Sequence, residues 1–234
     1  MYICVICGGS SFVDFAGRSG AKCESCGSLE RSRIIALLLK RLEILSRGMR
    51  VLHFAPERCL HDLIESVAPE EYIKADIRDS VEGIKVSYFD IAESIHTLPS
   101  DHFDLIIHNH VLEHLRCSDI YVTYHIHRAL KPYSFHVFSI PIWPNRKYAC
   151  DFNETRPDIL LDRFGQKDHV ALYGALDFHI GLGSCLNINQ DYSLESLLSV
   201  EDLDQNNIPQ NFRFGLNGSS VFIKRKEDWA FSLI

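Results

Sequence analysis

At 234 residues, with 46% hydrophobic and 24% charged side chains, the chain has the composition of a folded globular protein and not of a disordered or fibrous one. No apolar run approaches the ~18 residues that cross a bilayer, and the N-terminal MYICVICGG carries cysteines where a secretory signal needs a basic region and an apolar core. A net charge of -7 disfavours a nucleic-acid backbone as partner, so the expectation is a soluble cytoplasmic protein without membrane insertion.

The chain begins with Cys4-x2-Cys7 and, fifteen residues later, Cys23-x2-Cys26. Each pair offers two thiolates from one tight turn, and Gly8 and Gly27 follow where a positive φ is useful. Four thiolates close a tetrahedral zinc site and leave no position open for chemistry, so the metal is structural. The segment between the pairs has too few large apolar residues for a core of its own, so metal binding must supply its folding energy. Cys59, Cys117, Cys150 and Cys185 are scattered and read as ordinary thiols in a reducing compartment. Ile34, Ile35, Leu38, Leu39, Leu42 and Leu45 then recur at helical spacing, with Ser28 as the expected cap and Gly48 as the stop. Residues 1–50 hold eight Lys/Arg against four acids, a local excess of +4 on an otherwise acidic chain. The division expected is a zinc knuckle with its linking helix over 1–48 and an α/β unit over 49–234.

From residue 50 the pattern alternates. Strands are expected at Arg50–Phe54, Glu71–Asp76, Lys85–Phe89, Phe103–His108 and Phe135–Ile140, with a last one at Ser219–Lys224. Helices are expected around Leu60–Val67 and over Asp119–Leu130. Strands separated by helices imply a parallel sheet covered on both faces. The stretch 143–175, polar and irregular with Pro144 and Pro157, reads as a lid over the sheet edge.

Ligands of such sheets bind beyond the carboxyl ends of the strands. The residues there are His53, Ala55, Pro56 and Glu57 after the first strand, Asp76 and Ile77 after the second, Asp90 and Ile91 after the third, and Asn109 and His110 after the fourth. Asp76 stands nineteen residues beyond Glu57, the spacing at which an acid accepts hydrogen bonds from ribose hydroxyls. Asp90 and Ile91 suit an adenine amino group and ring.

The run FDLIIHNHVLEHL, followed by a helix and RALKPYSFHVFSIP, resembles the fourth and fifth strand motifs of class I S-adenosylmethionine-dependent methyltransferases. With CGSLERSR, the LHFAPE turn and FGQKDHVALYG, the chain is similar to a bacterial-type subgroup associated with surface-glycan or secondary-metabolite modification. The resemblance implies a Rossmann-like fold, S-adenosylmethionine as cofactor, and O-methylation of a sugar hydroxyl or similar small polar acceptor. The family's glycine-rich first turn is replaced here by Ala55-Pro56-Glu57.

A hydroxyl acceptor needs its proton removed, or a metal to lower its pKa. His110, Glu113 and His114 share one helix face, and Gln166, Asp168 and His169 would face them from the lid. His169, with His114 and His110 behind it, is the candidate general base. A divalent ion such as Mg²⁺ held by His110, Glu113, His114 and His169 is the alternative; the spacing is similar to the metal-binding helix of small-RNA 2′-O-methyltransferases. In a third reading Glu113 and His114 only orient the helix. The competing functions are an RNA methyltransferase with a zinc recognition module, favoured by the basic knuckle, and an inactive binding protein, favoured by the missing glycines. Oligomeric state is not legible.

Overall fold

The structure is a computed structural model and describes residues 2–231. Strands β1 (Phe12–Phe15) and β2 (Arg18–Cys23) lead into helix α1 (Glu30–Arg41). The alternation then runs β3 (Arg50–Phe54), α2 (Arg58–Glu65), β4 (Glu71–Asp76), a small hairpin of β5 (Ser80–Val81) and β6 (Ile84–Lys85), β7 (Ser87–Tyr88), α3 (Ile91–Ser94), β8 (Phe103–Asn109), α4 (Asp119–Ala129) and β9 (Leu130–Ser139). After it come β10 (Ile142–Trp143), β11 (Ala149–Cys150), α5 (Pro157–Phe164), β12 (Ala171–Gly174), α6 (Leu182–Cys185), α7 (Val200–Gln205) and β13 (Val221–Arg225).

The central sheet has the order β13-β9-β8-β3-β4-β7. Every pair in it is parallel except β13 on β9. The chain starts in the middle at β3, moves out one way through β4 and β7, and returns to the other side through β8 and β9. This is the expected Rossmann-like α/β fold, and its switch point lies between β3 and β8. Side chains alternate across the strands into two cores. Leu52, Phe54 and Ile106 face α4 through Val122 and Ile126. Val51, Leu105 and Ile107 face α1 and α2 through Ile34, Ile35, Leu38, Leu60 and Ile64.

Several expectations differ from what is observed, among them the end of α1, which stops at Arg41 and not at Gly48. Ser28 does not cap α1, whose first turn starts at Leu29 with no side-chain cap. Ser28 Oγ instead lies 3.4 Å from Cys4 Sγ and 3.2 Å from Cys26 Sγ. The expected third strand, Lys85–Phe89, is shorter than expected: Lys85 belongs to the β5–β6 hairpin, and only Ser87–Tyr88 pair with β4. The stretch 143–175 is not irregular: β10, β12 and β11 form a three-stranded sheet, and α5 packs Leu160 and Phe164 on Val170 and Leu172.

The C-terminal segment holds the N-terminus. Arg33 is fully buried; its Nη1 donates to the carbonyls of Ala21 and Ser28, at 3.0 and 2.8 Å. Its Nε and Nη2 donate to the carbonyls of Asn206 and Asn207, at 2.8 and 3.1 Å. The Val5 N–H donates to Asn206 Oδ1 at 2.6 Å and the Ile3 N–H to the Gln205 carbonyl at 2.7 Å. A buried guanidinium with four carbonyl acceptors satisfies the rule that buried charge be hydrogen-bonded.

Candidate functional site

The four N-terminal sulfur atoms lie within 4.8 Å of one another. Cys4 Sγ and Cys26 Sγ are 3.7 Å apart, Cys7 Sγ and Cys23 Sγ 3.6 Å. A tetrahedron with Zn–S spokes of ~2.3 Å has edges of about 3.8 Å, so the donor set fits that ion. Each pair is wound into a turn closed by a backbone bond, Gly8 N–H to the Cys4 carbonyl and Gly27 N–H to the Cys23 carbonyl. Gly8 and Gly27 have φ of 76° and 75°, as their place in the turns anticipates.

A second group of polar residues gathers beyond the carboxyl ends of β3, β4 and β8. At the β3–α2 turn Ala55 takes φ 47°, so a non-glycine residue stands in the left-handed region. Pro56 is buried, and Glu57 is saturated: Oε1 accepts from Arg31 Nη2 at 2.6 Å, Oε2 from Ser32 Oγ and Asn109 Nδ2, both at 3.1 Å. Asn109 in turn accepts from Ser139 Oγ at 3.0 Å. Asp76 ends β4 and is nearly buried, with Arg78 folded back on it: Nε to Oδ1 at 2.8 Å, Nη2 to Oδ2 at 3.0 Å. Burial pushes the Asp76 carboxyl up, but the bonds from Arg78 outweigh it and hold the group below the usual carboxylate range. Asp90 Oδ1 accepts from the Ala92 N–H and caps α3, while Ile77 is exposed beside Arg78.

Two residues expected here are elsewhere. His53 is fully buried and shares a 2.9 Å hydrogen bond with the Tyr72 hydroxyl. Its side chain is enclosed by protein, and burial drags its pKa to about 3. Ile91 belongs to the core cluster under α4.

The third group follows β8. Glu113 has no exposed surface, and neither carboxylate oxygen has a hydrogen-bond partner among the described residues. Burial raises its pKa to about 8. His110, at φ 51°, brings Nδ1 to 3.6 Å from Glu113 Oε1, and His169 brings Nε2 to 4.0 Å from the same atom. His114 packs edge-on against His169, with centroids 4.6 Å apart, and its Nδ1 is 3.4 Å from Asp168 Oδ2. Donor atoms of Glu113, His114 and His169 lie within 4.8 Å of one another. Burial lowers His169 to about 4, with the neighbouring His114 adding to it, and lowers His110 to about 3. Both imidazoles are therefore neutral near pH 7. Gln166 and Asp168 are exposed at the outer edge of this cluster.

Arg31 and Ser32 were absent from the sequence-based site. They lie on the first turn of α1, 26 and 25 residues before Glu57, where the chain reads only as an amphipathic helix. Arg31 also acts electrostatically on His110 and Glu113, so its positive charge is felt in the histidine cluster.

No protein-family model matches the chain, and no curated protein matches it by sequence. Solved structures do resemble it. An S-adenosylmethionine-dependent methyltransferase from Archaeoglobus fulgidus aligns at 18% identity and TM-score 0.48 over 85% of this chain and 95% of that one. The YcgJ protein of Bacillus subtilis aligns at 16% and 0.43, over 75% and 78%. An S-adenosylmethionine-dependent methyltransferase from Mesorhizobium loti aligns at 18% and 0.37 over 50% of this chain and 62% of that one, less than two thirds of its length.

Proposed function

We propose that this chain is an S-adenosylmethionine-dependent methyltransferase acting on a small polar acceptor, with a structural zinc ion in its N-terminal knuckle. The observation that carries the reading is the convergence at the β3/β8 switch point of a ribose-suited carboxylate, Asp76, and a buried Glu113–His169–His114 cluster. S-adenosylmethionine supplies an electrophilic methyl group and its own leaving group. The chain's residues then align the acceptor, exclude water and remove a proton. His169 or His114 takes the proton from an acceptor hydroxyl, with His110 beside them. Glu113, which burial keeps protonated near pH 7, packs beside the base as a neutral carboxyl. Gln166 and Asp168 border the acceptor. A sugar or glycan hydroxyl is the acceptor that the sequence resemblance favours. The acidic charge outside the knuckle weighs against RNA, and RNA binding with a steep salt dependence would reverse that.

Asp76→Ala tests the cofactor assignment. Loss of a charge-assisted pair to ribose weakens S-adenosylmethionine binding by about 10- to 100-fold in calorimetry. Affinity equal to the parent's removes Asp76 from the site. Because Arg78 occupies this carboxylate, binding requires it to swing away.

The zinc assignment is tested by elemental analysis of protein purified without chelator, which returns one zinc per chain. Cys23→Ser loses that zinc and destabilises the segment around β1 and β2, seen as early proteolysis there. A metal-free parent that melts like the metal-loaded one refutes a structural role.

A second reading has its own support: the orphaned Glu113 carboxylate beside two neutral imidazoles is a set of donors for a divalent ion. Two nitrogens and one carboxylate suit Mn²⁺, Fe²⁺ or Zn²⁺ better than Mg²⁺, which prefers oxygen ligands, so Mg²⁺ is not the ion this cluster favours.

A further inference from the structure

The β3–α2 turn lacks the glycines that would let backbone N–H groups approach a ligand, and Pro56 has no N–H to offer. Beside this turn lies a cavity of about 330 Å³, bounded on the knuckle side by Cys26, Gly27, Arg31 and Ser32 and on the turn side by Glu57 and Arg58. Two side chains in it have opposite capacities left. Glu57 is spent, both oxygens holding donors. Arg31 is not: Nη2 serves Glu57, but Nε is buried without a hydrogen-bond partner. A guanidinium carries five donors in a planar fork, so one engaged carboxylate leaves room for a second. A buried, unpaired N–H is costly unless a ligand completes it. Glu57 also stops the guanidinium from turning away, which presents it ready-oriented.

We propose that the cleft between knuckle and turn is a carboxylate site, in which Arg31 receives the amino-acid end of S-adenosylmethionine in place of a glycine-rich backbone cradle. The assignment rests on the methyltransferase reading above. It makes α1, and the knuckle turn just before it, part of the cofactor site.

The discriminating ligand is decarboxylated S-adenosylmethionine, which keeps the nucleoside and sulfonium and lacks only the carboxylate. By calorimetry the parent prefers the intact cofactor by about 10- to 100-fold. Arg31→Gln erases that preference, bringing the two affinities within about threefold, and leaves the decarboxylated ligand bound as before, which also shows that the variant is folded. Asp76→Asn weakens both ligands alike. A parent that binds both equally, or an Arg31→Gln variant that weakens both in proportion, overturns the carboxylate site alone. A parent that binds neither overturns the methyltransferase reading and this site with it.

Discussion

His169→Asn lowers methyl-transfer turnover by about 10²–10⁴ while S-adenosylmethionine affinity stays within a few-fold of the parent's. The direction follows from where the residue sits. In the proposed reading the strand ends hold the cofactor, so the proton acceptor comes from the opposite wall, and His169 stands two residues before β12 in the 143–175 segment. Burial lowers the imidazole to about 4, so it is neutral and able to accept a proton at pH 7, yet it is a weak base on its own. Glu113, 4.0 Å away and kept protonated near pH 7 by its burial, supports the ring as a neutral dipole and not as a counter-ion. Asparagine keeps much of the volume and loses the base, and this separates chemistry from packing. An unchanged rate with the true acceptor clears His169 and moves the role to His114 with Asp168 behind it. Strong chelator inhibition reversed by Mn²⁺, with the knuckle zinc still in place, decides instead for the metal reading.

The second large effect is on stability. Between pH 6 and pH 5 the unfolding free energy falls steeply, by several kcal/mol. Four histidines are sealed in the fold: His53, His108, His127 and His136. The last three form a chain, His108 Nε2 to His136 Nε2 at 3.0 Å, His136 Nδ1 to His127 Nε2 at 3.3 Å, and His127 Nδ1 to the Lys226 carbonyl at 3.3 Å. If all are neutral, that carbonyl forces His127 to donate from Nδ1, and the tautomers follow down the chain to a bare acceptor at His108 Nδ1, the atom found without a partner. Burial lowers His53 and His108 to about 3, His127 to about 4 and His136 well below its ordinary value. For a base whose folded pKa is lowered, the unfolded chain takes up protons near pH 6.5 while the folded one does not. Stability is therefore complete above the unfolded pKa and drains away as pH falls below it. Glu113 acts oppositely: its carboxyl, raised to about 8, is already protonated in the folded state, which offsets one of the four protons. His110 and His169, lowered to about 3 and about 4, behave like the four, so about five net protons remain, each worth about 1.4 kcal/mol per pH unit. Denaturant titrations at each pH measure it, and a flat profile from pH 7 to pH 5 would sink the account.

Much of the sheet was legible because its central strands are buried on both faces. Arg50–Phe54 and Glu71–Asp76 fall where their short apolar runs meet turn formers. The two-residue strands β10 and β11 carry no period to read, so 143–175 read as irregular although it folds into a small sheet. At the site, Asp76 stands at its strand end as expected, but His110, Glu113 and His114 share no α-helix face: His110 lies at φ 51°, only Leu112–His114 form a short 3-10 turn, and α4 begins at Asp119. His53 was misread because a strand-end polar residue looks the same whether its side chain points to the crevice or into the core. Arg31 was invisible for another reason: its partner is Glu57, and no local pattern announces a contact across 26 residues.

The clasp between the N-terminal knuckle and residues 205–207 bears on how the chain is made. Val5 finds Asn206 across 201 positions, and Arg33 finds it across 173. Contacts of such separation close late and slow the search for the native state. During synthesis the cysteines emerge well before the carbonyls that complete Arg33. Early metal capture would hold the module together through this interval. A nascent chain truncated before residue 205 has the ligands but not the seat, so its metal should exchange faster than that of the finished protein.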